Sequence, residues 1–141
     1  MQKKQNVQAI TLDELNTFQI SLGKTLPEDY RQHMLLYNGG SVINKKIEHK
    51  NYPENPSTGL NYLLPIKYGY DTIEHTINDI SEYLPSGYLP IGLNMAGGYV
   101  IISLNNDTTY GRIKEWYPDD ELNDMSESFT QYLEDMVERI D

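Results

Sequence analysis

The chain has no cysteine, which removes disulfides, thiolate metal ligands, cysteine nucleophiles and thiol redox chemistry in one step. A reducing compartment fits that absence. No uninterrupted apolar run approaches the roughly 20 residues that a membrane-crossing helix needs, and the start Met1-Gln-Lys-Lys-Gln-Asn leads into no apolar signal segment. The expectation is a soluble, cytoplasmic protein with no membrane contact. Basic residues are scarce: 11 Lys and Arg face 21 Asp and Glu, a net charge of −10. With a pI near 4.6, this is no protein built to neutralise nucleic-acid phosphates, and its expected partner is a basic protein. Large apolar aromatics are few as well, with two Phe and one Trp.

In their place stand twelve Tyr. Tyrosine combines a large contact area with a polar end, which suits surfaces that must also bind. Several of the twelve are expected to be half-buried core residues instead. At 141 residues the chain has the size of one domain, 1–141, with residues 1–10 expected to be flexible or extended. The hydrophobic share of 38% is low, yet those residues fall in periodic runs that a disordered chain lacks. Charge is uneven along the chain. Residues 71–110 hold five acidic and no basic residues, and 111–141 hold ten acidic against three basic, so the negative field belongs to the second half.

Leu12, Leu15, Phe18 and Leu22 recur at helical spacing behind the T-x-x-E capping box of Thr11 and Glu14, which predicts a helix over 11–22 ended by Gly23. A second helix follows Pro27, with Glu28 and Asp29 in its first turn, and stops at Asn38-Gly39-Gly40. Residues 41–59 read as an irregular basic loop, with a short strand at 41–43. A strand over 60–68 precedes a third helix opened by Asp71 with Glu74 and closed before Pro85. Strands at 89–95, 99–104 and 110–117 are divided by Gly97-Gly98 and Asn105-Asn106-Asp107, the turn chemistry of successive hairpins. A last amphipathic helix is expected over 126–140. The fold class is therefore α+β: a predominantly antiparallel sheet, a meander, with an N-terminal helix pair and a C-terminal helix packed on it.

Chemistry-bearing motifs are sparse. The three histidines, 33, 49 and 75, show no H-x-x-x-H spacing, so no zinc site is expected. His75 and Asp79, four apart, read as a solvent-facing helix pair. G-x-S-x-G, Walker and G-x-G-x-x-G patterns are absent, and Ala96-Gly97-Gly98-Tyr99 reads as a hairpin turn rather than a phosphate cradle. The run Asp119-Asp120-Glu121-Leu122-Asn123-Asp124 has the oxygen ligands of a calcium loop but lacks the glycine and glutamate of an EF-hand, and reads as a solvated loop and helix start. No catalytic residue, metal or cofactor is expected. A carboxylate enzyme would need two acids with opposed pKa values, which a sequence does not reveal.

Four segments stand in order across residues 11–137: Leu26-Pro27-Glu28-Asp29-Tyr30 leading to Asn38-Gly39-Gly40; Leu89-Pro90-Ile91-Gly92; Gly97-Gly98 through Gly111 to Trp116; and Ser128-Phe129 with Tyr132-Leu133. Together they resemble the SUKH superfamily, which includes bacterial toxin-immunity proteins and the yeast cell-wall-assembly regulators. The resemblance implies a helix-backed antiparallel sheet without a catalytic centre, and in bacteria an immunity protein that binds and blocks a cognate toxin, commonly a nuclease. The yeast relatives imply an alternative, a general intracellular interaction or scaffold module. The shared residues maintain the fold while the toxin-facing surface varies, so no binding residue carries over by motif. The basic loop at 41–59 departs from the pattern.

Leu15, Phe18, Tyr30, Met34, Ile91, Ile101, Trp116, Phe129 and Leu133 occupy apolar phases and are expected in the core. Gly39 is expected to take a positive φ beyond the second helix. For partner binding, electrostatics points to Asp119, Asp120, Glu121 and Asp124, with Trp116, Tyr117 and Tyr99 as aromatic anchors. Trp116 then carries two roles, core and anchor, that one strand residue does not fill together.

Overall fold

Helix α1 (Leu12–Leu22) begins at its capping box. The Thr11 hydroxyl accepts from the Glu14 N–H at 3.1 Å and Glu14 Oε1 accepts from the Thr11 N–H at 3.0 Å. It ends at Gly23, left-handed at φ 67°. Helix α2 (Glu28–Tyr37) starts after Pro27, and its αL cap is Asn38 at φ 45°, one residue before the glycine expected to turn the chain. Gly39 and Gly40 follow at φ 100° and 119°. The computed structural model describes residues 7–40, 47–53, 55, 58–118 and 122–138. Residues 7–10 lie within the expected loose N-terminus, yet Ile10 is buried and the Gln8 carbonyl accepts from Asn38 Nδ2 at 2.9 Å.

The strand expected over 60–68 shortens to β2 (Leu60–Leu63). Beyond it the backbone finds other partners: the Leu64 N–H donates to the Ile91 carbonyl at 2.8 Å, and Pro65 has no N–H to offer. Helix α3 (Ile73–Ile80) is capped by Thr72, not Asp71, whose hydroxyl accepts from the His75 N–H at 3.1 Å. Then come β3 (Tyr88–Asn94), β4 (Tyr99–Ser103), β5 (Ile113–Trp116) and β6 (Leu122–Ser126). With β2 they form a five-stranded antiparallel sheet in the order β2-β3-β4-β5-β6. Asn94 shapes the β3–β4 turn, its Oδ1 accepting from the N–H groups of Ala96 and Gly98 at 3.0 and 2.7 Å. That segment is a hairpin turn, as its glycines indicate.

Two expectations need correction. Leu122, Asn123 and Asp124 belong to strand β6 rather than to a loop and helix start, because they pair in register with Trp116, Glu115 and Lys114. The final helix is α4 (Phe129–Asp135), capped by Ser128, and the chain then turns to strand as β7 (Met136–Glu138). Its partner is β1 (Ile47–His49), antiparallel, with His49 opposite Met136. Met136-Val137 is too short to show either period, so a partner some ninety residues away in sequence decides its conformation. The strand expected at 41–43 lies outside the described residues.

Leu15 and Phe18 of α1, Tyr30 and Met34 of α2, and Phe129 and Tyr132 of α4 pack against Leu89, Ile91, Val100, Ile102 and Ile113. This is the main core. Behind the sheet a smaller cluster holds Ile80, Ile101 and Trp116. Eight of the nine expected core residues are buried; Leu133 is half-buried against the main core. Phe129 meets Tyr30 and His33 edge-on, centroids 5.1 Å away in each case. Phe129→Ala is expected to destabilise by about 3–5 kcal/mol in denaturant unfolding; a loss under about 1 kcal/mol would contradict this packing.

A Cβ at Gly39 would stand 2.7 Å from the Leu63 carbonyl oxygen, at φ 100°, whereas one at Gly97, φ 83°, meets nothing within 4 Å. Gly97→Ala is therefore expected to lose only the roughly 1–2 kcal/mol of left-handed strain. Gly39→Ala must lose clearly more; equal losses for the two would show that the close approach does not exist.

Candidate protein-binding face

Strand register places five residues in one row across the sheet: Tyr62 opposite Leu93, Leu93 opposite Tyr99, Tyr99 opposite Trp116, and Trp116 opposite Leu122. Tyr99, Trp116 and Leu122 belong to the smaller cluster behind the sheet, whereas Tyr62 and Leu93, at the β2 end of the row, also pack against the main core. Trp116 is buried, 3% exposed, and the other four are half-buried. The Tyr99 and Trp116 rings lie 5.7 Å apart, tilted by 36°. Trp116 is thus a core residue on which Tyr99 rests, and Tyr99 is the accessible one. One step along the same face, Lys114 Nζ and Asp124 Oδ1 pair at 3.3 Å across β5 and β6, and the Asp124 side chain is 74% exposed.

Tyr117 does not join them. It follows Trp116 on the opposite phase, and its hydroxyl accepts from Asn94 Nδ2 at 2.9 Å. Both side chains attend buried Glu115, whose carboxyl burial pushes up while hydrogen bonds from Asn94 and Tyr117 pull it back. Asp119, Asp120 and Glu121 lie outside the described residues, directly before Leu122 in the chain. Of the residues selected from sequence, the sheet thus gathers Tyr99, Trp116 and Asp124. It adds Tyr62, Leu93 and Leu122, whose only sequence signal is an apolar residue on the alternate phase of a short strand.

A second cluster has no signal in the sequence. His49 is fully buried between β6 and α4; its Nε2 stands 3.0 Å from Ser126 Oγ and 3.2 Å from Asp135 Oδ2. Ser126 Oγ donates to Asp135 Oδ2 at 2.6 Å. The residue types are those of a serine hydrolase, but the geometry is not. A catalytic histidine takes the serine proton on one nitrogen and leans on the carboxylate through the other. Here both partners share Nε2, and Nδ1 accepts from the Asn51 N–H at 3.2 Å. The proton sits on Nε2 and the serine proton points at Asp135, so nothing activates Ser126. Lys50 Nζ at 3.1 Å and Gln131 Nε2 at 2.7 Å complete the shell of Asp135. Burial pushes that carboxyl up, but these hydrogen bonds outweigh it and hold it below the ordinary range. The cluster is a clasp tying β1, β6 and α4 together.

His75 Nε2 and Asp79 Oδ2 pair at 3.3 Å with both side chains 59% exposed, a solvent-facing contact as expected. Among the described residues no three His, Asp or Glu side chains converge to hold a metal ion. No described helix is long and apolar enough to cross a membrane.

These features define a class: an α+β domain whose meander is backed by helices on one face and presents a partly open aromatic row on the other. Residues 9–135 match the model of the SMI1/KNR4 family (SUKH-1), and the chain belongs to that family. No curated protein matches the chain.

The clasp has a pH consequence. Burial pushes the His49 imidazole below its ordinary value of 6.5, against the pull of Asp135, and burial lowers His33 likewise. Folded, both hold a proton less readily than they do unfolded, where they bind one as the pH drops through about 6.5. Their share of stability is complete above about 6.5 and is lost progressively below it. His49→Gln is expected to give a shallower decline in unfolding free energy between pH 7 and 5, with His33 keeping part of the slope. An unchanged slope would sink this assignment.

Proposed function

We propose that the chain is an immunity protein: it binds a cognate bacterial toxin, one with a basic face such as a nuclease, and neutralises it by stoichiometric contact in the cytoplasm, without chemistry of its own. The observation that carries this reading is the row Tyr62, Leu93, Tyr99, Trp116 and Leu122, left half-open in a SUKH-1 domain of net charge −10. A nuclease cleft must hold phosphates, so an acidic surface is drawn to it and competes with the nucleic acid. Accessible aromatic area supplies the affinity once contact is made. The acids at 119, 120, 121 and 124 supply the charge, which mainly sets association rate. Tyr99 is the contact residue, with Trp116 as its support; Tyr117 lies nearer to the β3–β4 turn and contributes at the margin.

The test is co-purification with a secreted toxin of the same cell, followed by stopped-flow mixing of the purified pair. Reversing Asp119, Asp120 and Glu121 to Lys is expected to slow association by about tenfold at low salt and to flatten its salt dependence, with folding nearly intact. Tyr99→Ala is expected to act on dissociation instead, raising it by about tenfold or more. An unchanged association rate in the triple variant would make the acidic segment a solvated surface and move the interface elsewhere, with the 41–59 loop as the next candidate.

A further inference from the structure

Helix α3 crosses the open face of the sheet beside the aromatic row, and its spacing decides what it offers there. Thr72, Thr76 and Ile80 are buried at intervals of four, while Asp71, His75 and Asp79, one position earlier on the same spacing, are exposed. Between that helical edge and strands β2 to β4 lies a cleft of about 150 Å³, lined by Tyr62, Asp71, His75, Asp79, Leu93 and Tyr99. Its floor is the start of the aromatic row, three residues adjacent by strand register. Its rim carries two carboxylates. Burial, and next the nearby Asp71 carboxylate, push the Tyr62 phenol up, and His75 Nε2 stands 3.3 Å from Asp79 Oδ2. No lysine or arginine is among its described lining residues, and residues 71–110 contain neither.

We propose that this cleft is a recognition slot for one cationic side chain of the partner, an arginine. The volume lies below the roughly 300 Å³ at which small-molecule sites begin and suits a single side chain. Two tyrosines and two carboxylates lining one cleft match a guanidinium, which stacks on aromatic rings through its plane and donates to carboxylates through its edge. A lysine ammonium has the charge without the plane and fits less well. An apolar side chain would desolvate both carboxylates without giving them donors, and an anion would be repelled. The slot deepens the toxin-binding reading and rests on it for the identity of the partner, but its chemistry can be tested without that partner.

The full chain is titrated with N-acetyl-arginine methylamide while its backbone amides are followed by NMR, with the lysine analogue and the neutral, nearly isosteric citrulline analogue alongside. Saturable shifts confined to residues 62, 71–79, 93 and 99 are expected, stronger for arginine than for lysine and absent for citrulline. The double variant Asp71→Asn/Asp79→Asn should weaken binding at least tenfold; Thr72, not Asp71, caps α3, so the spectrum should stay that of the folded protein. Asp13→Asn, on another face, serves as a carboxylate control and should bind as before. No shift at these residues, an equal response to citrulline, or unsaturable shifts spread over the acidic surface would each overturn the slot. With the co-purified toxin the two readings separate. A complex that forms equally well with the double variant keeps the toxin reading and overturns the slot, whereas saturable arginine binding with no toxin complex keeps the slot and overturns the toxin reading.

Discussion

The corner Asn38-Gly39-Gly40 is the constraint on which the rest of the architecture depends. Asn38 is fully buried and left-handed at φ 45°, and its side chain stands in for a strand. Its Oδ1 accepts from the Ile66 N–H at 2.8 Å and its Nδ2 donates to the Ile66 carbonyl at 3.0 Å, the two bonds that a neighbouring peptide would make. Gly40 exchanges both backbone hydrogen bonds with Leu63, at 3.2 and 2.6 Å. One helix end thereby closes the edge of the sheet at β2 and fixes the segment after it, where the Ile73 N–H reaches back to the Pro65 carbonyl at 2.8 Å and starts α3. At Leu63 the edge strand is thereby paired on its outer side as well, through a single bridge. The position of α3 over the open face, and with it the cleft, follows from a corner on the other side of β2.

That corner also explains how the two faces of the sheet divide their work. Helices α1, α2 and α4 bury one face completely enough to place Tyr30 and Tyr132 in the core, where burial pushes both phenols far above their ordinary range. Among the described residues the second face receives α3 and the segment after it, whose Ile80 and Leu84 cover Ile101 and Trp116, while Ile73 at the start of α3 joins the main core. Tyr99 and Leu122 pack against that cluster and stay half-buried. The main core and the Tyr99–Trp116 end of the proposed contact row thus lie on opposite faces of the same strands.

What the sequence made legible is local. The capping box at Thr11, the αL stop at Gly23 and the Asn94 to Gly98 turn each lie within a few residues and were readable from their own chemistry. What it hid is long-range. Ile47 to His49 sits among lysines and prolines and becomes a strand only because Met136 to Glu138 pairs with it. Ser126 and Asp135 read as ordinary members of an amphipathic helix, and only the fold sets them against His49. Trp116 and Tyr99 could be selected as aromatics, but their roles could not be divided. The apolar phase of a strand identifies a face without saying whether a helix covers it, and here coverage changes along one row.

That gradient settles the double role assigned to Trp116. A residue 3% exposed offers almost no area to a partner, yet it supports the Tyr99 ring, the one proposed for contact. Tyr99 is held on a central strand, paired on both sides, with the indole 5.7 Å away. Ordering a free tyrosine at an interface costs about 0.5–1.5 kcal/mol, and a ring already confined between strand neighbours forfeits less of it on binding. The exposed acids have the opposite character. Asp124, at 74% side-chain exposure, acts through a field that salt screens within about 8–10 Å and that needs no fixed geometry. Under the proposed toxin-binding reading, aromatic area in the middle of the sheet and exposed charge at its margin govern different steps of one encounter: the charge sets how often a basic partner arrives, and the row sets how long it stays.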